Sequence, residues 1–391
     1  MMTKVMAINS GSSSLKFKLF IMPQEEVITE GAIERIGSDE AVFSYKYNGK
    51  TSQTMPIKDH QAAVHLLLDT LTEQNIIESY DDISGVGHRI SHGGTYYQDA
   101  TLIDEQVEQH IDELSTLSPL HNPVNLIGIR SFKAVLPHAK QVAIFDTSFH
   151  QTIPEEFHMY ALPYKYYVNY GIRRYGFHGP SHQYVSEEAK KINPAASKVI
   201  TCHVGSGGSI AAIKDGKSIN TSMGFTPLAG LVMGTRTGDL DPQILPFIQE
   251  QEGLNSQEIK DLMNKESGLL GLSGISNDYR DVEEAADAGN KQAEMALTVF
   301  ARRIIQYVGS YAADLNGLDT LVFTAGVGEH SDRLRKAVCD SLTYLGVKID
   351  EAKNATDSLS IEAADSKVKV LVIPTDEEVI IARDVIRIAA L

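Results

Sequence analysis

The chain has 391 residues, enough for two or three domains with sizeable cores. Hydrophobic residues make up 42% and charged residues 22%, ordinary values for a globular protein. Lysine and arginine number 35 against 51 aspartates and glutamates, and the formal charge of −16 argues against nucleic acid or an anionic membrane as partner.

The chain opens Met1-Met2-Thr3-Lys4 without a long apolar run, so no signal peptide is expected and the cytoplasm is the expected compartment. Residues 4–8 read as a short buried strand, and residues 15–20 alternate apolar and polar as a half-buried strand does. The link between them is small and rich in hydroxyls, with Gly11 to let the backbone turn. Its backbone N–H groups and the hydroxyls of Ser12, Ser13 and Ser14 suit an anion, with Lys16 as a cation aimed back at the turn. An ordinary hairpin with a polar loop is the plainer alternative. Asp59 reads as the N-cap of a helix that carries Val64, Leu67, Leu68 and Leu71 on one face. Residues 83–90 read as a strand running into His92-Gly93-Gly94, with His88 and His92 as either structural or supporting residues. Asp104 starts a second helix, and Pro119 to Pro123 form a stiff loop because each proline fixes φ. His121 in that loop reads as a site donor or a surface residue. A helix through Leu126, Ile129 and Phe132 leads to a strand over 141–145 that ends at Asp146. Strands alternating with helices imply a mainly parallel core, with ligands beyond the carboxyl ends of the strands, where Arg89 and Asp146 fall.

The first domain is expected to close near residue 148. Residues 158–177 form a tyrosine-rich segment whose aromatics roof a site, cover another subunit or simply pack. His178 opens a helix with Val185 and Ala189 inward. Residues 198–203, 204–209 and 210–213 repeat the strand, small-residue turn and return strand of the first hairpin, with Cys202 as a buried small hydrophobe. Two such hairpins half a chain apart suggest a duplicated domain with nucleotide phosphates held between the copies. Residues 223–239 make a long loop of glycine and threonine with one cation in its middle, Arg236, and ordered loops of that length are usually functional. The clearest helix covers 293–315, with Asn316-Gly317 as its C-cap. It feeds a strand over 320–324 and a glycine turn over 325–329 just before another helix, a nucleotide-approach geometry. A strand over 369–373 and a helix running to Leu391 close the chain, and that helix is expected to pack on the first domain.

Other motifs fail. Ala211 stands where a Walker A sequence needs its first glycine. No Gly-x-Gly-x-x-Gly follows a strand and no Gly-x-Ser-x-Gly occurs, which argues against a dinucleotide fold and a hydrolase elbow.

The segment Asn9 to Lys16, Asn-x-Gly-Ser-x-Ser-x-Lys, resembles the first signature of the acetate kinase (acetokinase) family, and His203 to Ser209, His-x-Gly-x-Gly-x-Ser, resembles the second. The resemblance continues through most of the chain. It implies an α/β fold of duplicated actin-like (ribonuclease H-like) domains with the active site in the interdomain cleft. The N-terminal domain would span 1–148, completed by the helix 378–391, and the nucleotide-binding domain 149–377. It implies reversible, Mg²⁺-dependent transfer of the ATP γ-phosphoryl group to acetate, giving acetyl phosphate and ADP, with Mn²⁺ as a possible substitute metal and a homodimer as the assembly. By the same resemblance Arg89 would bind the substrate carboxylate, and Arg236 and His178 would stabilise the transferring group. Asn9 and Glu377 would hold the metal, with Ser12 and Lys16 at the phosphates. His203, Val204, Gly205, Ser206 and Gly207, then Asp278, Tyr279 and Arg280, then Gly326, Val327, Gly328, Glu329 and His330 would line the nucleotide. Ser91, Leu120, His121, Phe177 and Pro227 would surround the acyl group. The family gives Asp146 a proton-transfer role. A carboxylic acid substrate with an ordinary pKa of about 4 arrives already ionised at pH 7, so Asp146 reads better as a group that orients Mg²⁺.

Four residues depart from the family pattern: Ser206, His330 and Asp239 stand where asparagine is usual, and Ser91 where the acyl pocket usually has valine. They bear on nucleotide affinity and on the choice of acyl group. Propionate or another short-chain acid is therefore the alternative substrate. A non-catalytic nucleotide-binding regulator is the alternative from another class, against which the intact Lys16, Arg89, Asp146, His178, Arg236 and Glu377 argue.

Overall fold

The computed structural model describes residues 3–391. They form two compact units, one running up to Phe149 and resumed by Asp376–Leu391, the other spanning His150–Thr375.

The first unit is built on strands β1 (Thr3–Gly11), β2 (Ser14–Met22), β3 (Glu26–Glu34), β4 (Ser38–Lys46), β5 (Lys50–Ile57), β6 (Ile83–Ile90), β7 (Thr101–Leu102) and β8 (Lys140–Phe145). They lie in the order β5-β4-β3-β2-β1-β6-β8-β7. Strand β1 runs antiparallel to β2 and parallel to β6, which is parallel to β8. Val5, Met6, Ala7 and Ile8 are all buried, as expected of a central strand covered on both faces. In β2 the alternation predicted from sequence holds, with Leu15, Phe17 and Leu19 buried between the more exposed Lys16 and Lys18.

The second unit repeats the design with β9 (Lys198–Val204), β10 (Gly208–Lys214), β11 (Lys217–Thr221), β12 (Thr320–Thr324) and β13 (Lys369–Val372). Their order is β11-β10-β9-β12-β13, with the first three antiparallel and the last two joined parallel to β9. The same order of three antiparallel and two parallel strands sits inside the first sheet as β3-β2-β1-β6-β8. This is the duplicated α/β design that the two hairpins suggested.

Capping chemistry fixes the helices. Asp59 and Asp104 accept from the N–H groups of Ala62 and Val107, so both predicted N-caps stand. The long helix covers Lys291–Asp314, capped at its start by Asn290. At its end Asn316 and Gly317 take positive φ, and the Gly317 N–H closes on the Ala312 carbonyl at 2.8 Å. Two expectations need correction. The segment expected as a glycine turn over 325–329 is itself a short helix, Ala325–His330, and Ser331 caps the next helix, Asp332–Asp340. The stiff loop ends earlier than predicted, because Asn122–Val135 is helical and Pro123 occupies its first turn, where a missing N–H costs nothing.

The last helix, Glu377–Ala389, packs on β6 with no room to spare. A Cβ on Gly87 would lie 2.3 Å from Ile381, and one on Gly85 2.5 Å from Val385. These two glycines let the helix approach until its first residue, Glu377, reaches the carboxyl end of β6.

Candidate active site

In the first unit, strand ends bring three charged side chains together. Arg89 is the penultimate residue of β6, and Asp146 directly follows β8, its N–H tied to the Ile90 carbonyl. The Arg89 guanidinium donates to both Asp146 oxygens, from Nε at 2.7 Å and from Nη2 at 2.8 Å. Its Nη1 lies 3.1 Å from Glu377. Burial pulls the Arg89 pKa down, but Asp146 and Glu377 raise it by more, so the cation is secure. Burial pushes the Glu377 carboxyl above its ordinary range, Arg89 and Lys16 pull it down, and the charges of Asp146 and Glu378 push it further up. Two carboxylates therefore face one guanidinium.

Around this triad, Asn9 is half-buried on β1 opposite Lys16, and Ser12 is exposed in the turn. The Ser91 N–H donates to Asn125, and the Ser91 hydroxyl takes a bond from Ser118 at 3.1 Å. Leu120 is 73% exposed, and His121 stands exposed at the start of the helix Asn122–Val135. His88 is structural: its ring is buried against Phe132 and bonds Gln141 at 2.7 Å. His92 takes the Gly94 N–H on Nδ1. Asn122 and Asn125, both buried, brace the Ser91-His92 backbone and were missed from sequence, where two asparagines in a helix carry no signal.

In the second unit the predicted residues divide between a corner over Gly207 and a cavity. His178 caps the helix Gly179–Ile192 with φ at +56°, a left-handed conformation that costs a non-glycine residue about 1 kcal/mol or more. Its ring stacks on His203 with centroids 4.2 Å apart, and its Nδ1 meets Ser209 Oγ at 2.9 Å. Arg236 is held by the Pro227 carbonyl at 2.7 Å. Among the described residues no carboxylate pairs with Arg236, and burial alone lowers its pKa. Arg236 and His178 share the space over Gly207, where an added Cβ would lie 2.6 Å from Arg236 Nη2 and 3.7 Å from His178 Cε1. Phe177 is buried with Met223 and Met233.

A cavity of about 420 Å³ opens beside this corner. Gly205, Ser206, Asp278, Tyr279, Arg280, Gly326, Val327 and His330, all expected at the nucleotide, line it together with Leu269, Asn277, Glu283 and Ser331. Other predicted nucleotide residues do not reach it. Val204 belongs to the hydrophobic core, and His203 turns to Ser181 at 2.8 Å. Glu329 takes the Thr375 N–H at 3.1 Å, since the short helix turns its side chain toward the end of the sheet. Arg335, fully buried, grips the Gly328 and Glu329 carbonyls and so fixes that helix. In the tyrosine-rich segment, Tyr175 is buried, Tyr160 holds the Phe225 N–H, and Tyr164 and Tyr170 are exposed. Cys202 is buried, and burial pushes its thiol far up, so it is an inert hydrophobe. No helix among the described residues is long and apolar enough to cross a membrane.

Residues 4–383 match the model of the acetokinase family. The chain is 54% identical to an acetate kinase of Geobacillus kaustophilus over 396 residues, covering all of both chains. It is equally, 54%, identical to a propionate kinase of Citrobacter rodentium, covering 99% of this chain and 97% of the other. The crystal structure of Porphyromonas gingivalis acetate kinase superposes with a TM-score of 0.94 at 42% identity, covering 99% of this chain and all of that one. The chain belongs to the acetokinase family, phosphotransferases with a carboxyl group as acceptor.

Proposed function

We propose that the chain catalyses reversible transfer of the ATP γ-phosphoryl group to acetate, giving acetyl phosphate and ADP, in the cytoplasm and as a homodimer. Propionate is the second substrate, favoured by the equal identity to acetate and propionate kinases. The observation that carries the reading is the corner over Gly207. There an arginine without a carboxylate partner among the described residues meets His178, beside a loop that lines the 420 Å³ cavity. Such a cation is costly to bury and suits a phosphoryl group whose oxygens gather charge during transfer.

In the forward direction a carboxylate oxygen of acetate attacks the γ-phosphorus and the bridging oxygen leaves with ADP. No proton changes place. Arg89 has five N–H donors, of which Asp146 and Glu377 take three. The other two, one on each terminal nitrogen, are the ones to bind a substrate carboxylate. Asp146 then acts by holding Arg89 in orientation and by charge. The surplus negative charge of Asp146 and Glu377 over Arg89 fits a divalent cation. Among the described residues no three His, Cys, Asp or Glu side chains form a metal cage. Asn9 and Glu377 would hold Mg²⁺, or Mn²⁺ in its place, together with phosphate oxygens and water. The metal would supply neutralisation of the phosphates. Ser12 and Lys16 bind the phosphates, and Asp278, Tyr279, Arg280, Gly326, Val327 and His330 the nucleoside.

A hydroxamate assay with ATP, Mg²⁺ and each acid tests the reading. Acyl hydroxamate should form with acetate and more weakly with propionate. Folded protein that forms none from acetate, propionate or butyrate ends the proposal.

A further inference from the structure

In the second unit two hydroxyls and two imidazoles form one row. Thr201 Oγ1 lies 2.7 Å from His182 Nδ1, His182 Nε2 lies 2.7 Å from Ser209 Oγ, and Ser209 Oγ lies 2.9 Å from His178 Nδ1. Thr201, His182 and Ser209 have no solvent exposure, while His178 at the end of the row is half-buried. His182 stands one helical turn after His178, its N–H bonded to the His178 carbonyl at 3.0 Å, so both rings leave the helix on one face.

Such a row has a direction. Ser209 has one hydroxyl hydrogen and faces two ring nitrogens, so it donates to one and accepts from the other. A neutral imidazole has one N–H and one lone pair and passes the direction on. His182 is neutral: burial holds it well below the ordinary histidine range, and His150 and His203 push the same way.

We propose that the row runs outward, making Ser209 and His182 positioning residues that hold His178 as the tautomer with its proton on Nε2. Thr201 donates to His182 Nδ1, His182 Nε2–H donates to Ser209, and Ser209 donates to His178 Nδ1. The inference rests on the reading of His178 as a group that contacts the transferring phosphoryl. Phosphoryl oxygens only accept hydrogen bonds, so the nitrogen that meets them must carry hydrogen. The opposite direction would turn a lone pair toward an anion. Arg236 already brings a cation over Gly207, so a neutral, directed N–H adds a hydrogen bond without placing two cations together. Stacking on His203 keeps the His178 ring from rotating out of line.

Nitrogen NMR of the full-length protein labelled with ¹⁵N-histidine reads the tautomer directly, with His178→Ala to assign the signals. The wild type should show His178 protonated at Nε2 and bare at Nδ1. A proton on Nδ1 overturns the proposal whatever the variants do. Ser209→Ala should lower kcat about 10- to 100-fold with both KM values changed less than about threefold, and should mix the two tautomers. In a His178→Ala background the same substitution should cost nothing further, because Ser209 acts only through His178. An equal loss in both backgrounds would mean a merely structural role. His182→Gln, whose amide nitrogen can donate to Ser209, should keep most of the activity that His182→Leu loses, and equal losses would count against the row. If His178→Ala itself leaves kcat unchanged, the reading of His178 falls; if it lowers kcat while Ser209→Ala does not, only the row falls.

Discussion

The two units share a five-stranded plan and use its strand ends in opposite ways. In the first, the ends of β6 and β8 carry Arg89 and Asp146, and Glu377 completes a cluster of full charges held by ion pairs. In the second, the ends of β12 and β13 carry hydroxyls: Thr324 bonds the Ile373 carbonyl and Thr375 bonds Ser181. There the β9–β10 hairpin and the loop that brings Arg236 stand instead, where imidazoles and backbone lie beside a cation with no carboxylate partner among the described residues. The same sheet position can thus hold a cluster of full charges or a frame of hydroxyls and backbone. The strand order does not decide which; the residues just past the strands do.

Removing each arginine gives the largest expected contrast. Arg89→Ala leaves Asp146 and Glu377 mostly buried without their cation, so stability should fall by about 3–5 kcal/mol. The acetate KM should rise by about 10- to 100-fold through the lost carboxylate contact, with the ATP KM nearly unchanged. Arg236→Ala removes a half-buried cation with no carboxylate partner among the described residues, so the fold should be no less stable, while kcat falls about a thousandfold. Urea unfolding beside steady-state kinetics separates the two. Equal stability losses would erase the contrast between a paired and an unpaired charge, and an Arg89→Ala effect larger on ATP than on acetate would move Arg89 to the nucleotide side.

Asp146→Asn tests the charge cluster more gently. Asparagine keeps one oxygen for Arg89 and removes the negative charge. We expect kcat to fall about a hundredfold and the Mg²⁺ requirement to rise, with partial recovery at high Mg²⁺ or with Mn²⁺. Rate measured against free metal decides it. A loss that is the same at every metal concentration would restore an acid–base role.

Two glycines of the second unit sharpen the other side of the comparison. A methyl group at Gly207 would press on Arg236 Nη2 at 2.6 Å, so Gly207→Ala should cost about 10- to 100-fold in kcat while the protein stays folded. A methyl group at Gly326 meets nothing within 4 Å, and the residue is helical, so Gly326→Ala should leave stability intact or raise it by up to about 1 kcal/mol. Because Gly326 lines the cavity, that variant should raise the ATP KM instead. If Gly207→Ala changed only KM, or Gly326→Ala only kcat, the division between catalytic corner and cavity would be wrong.

Much of this arrangement is legible in the sequence because it rests on local rules. Glycine and serine turns between strands marked both hairpins, and aspartate caps marked helix starts. What stayed hidden is set by contacts far apart in the chain. Glu377 and Arg89 are 288 positions apart, and nothing local says that two glycines on β6 let a C-terminal helix close the distance. Ser209 ends a recognisable motif, yet its meeting with two histidines of the helix Gly179–Ile192 and its cap has no sequence signal beyond the four-residue spacing of His178 and His182. The short helix over Ala325–His330 was missed because its two glycines read as a turn, whereas Arg335 supplies the carbonyl partners that glycine-rich segments lack.

The last expected effect concerns His88, a buried histidine of the first unit outside the charge cluster. Burial holds His88 at about 4, well below the ordinary value of 6.5. Between those two values the unfolded chain binds a proton that the folded one refuses, so stability falls as pH drops. The loss begins below pH 6.5 and levels off below the folded value near 4. At pH 5 it amounts to about 2 kcal/mol for this one residue. His88→Gln can keep the hydrogen bond to Gln141 but cannot take up a proton, so its stability should fall less between pH 7 and pH 5 than that of the wild type. Urea unfolding at the two pH values measures the difference, which should be about 2 kcal/mol whatever the variant loses at pH 7. Parallel losses in the two proteins would show that His88 takes up its proton in the fold as readily as in the unfolded chain.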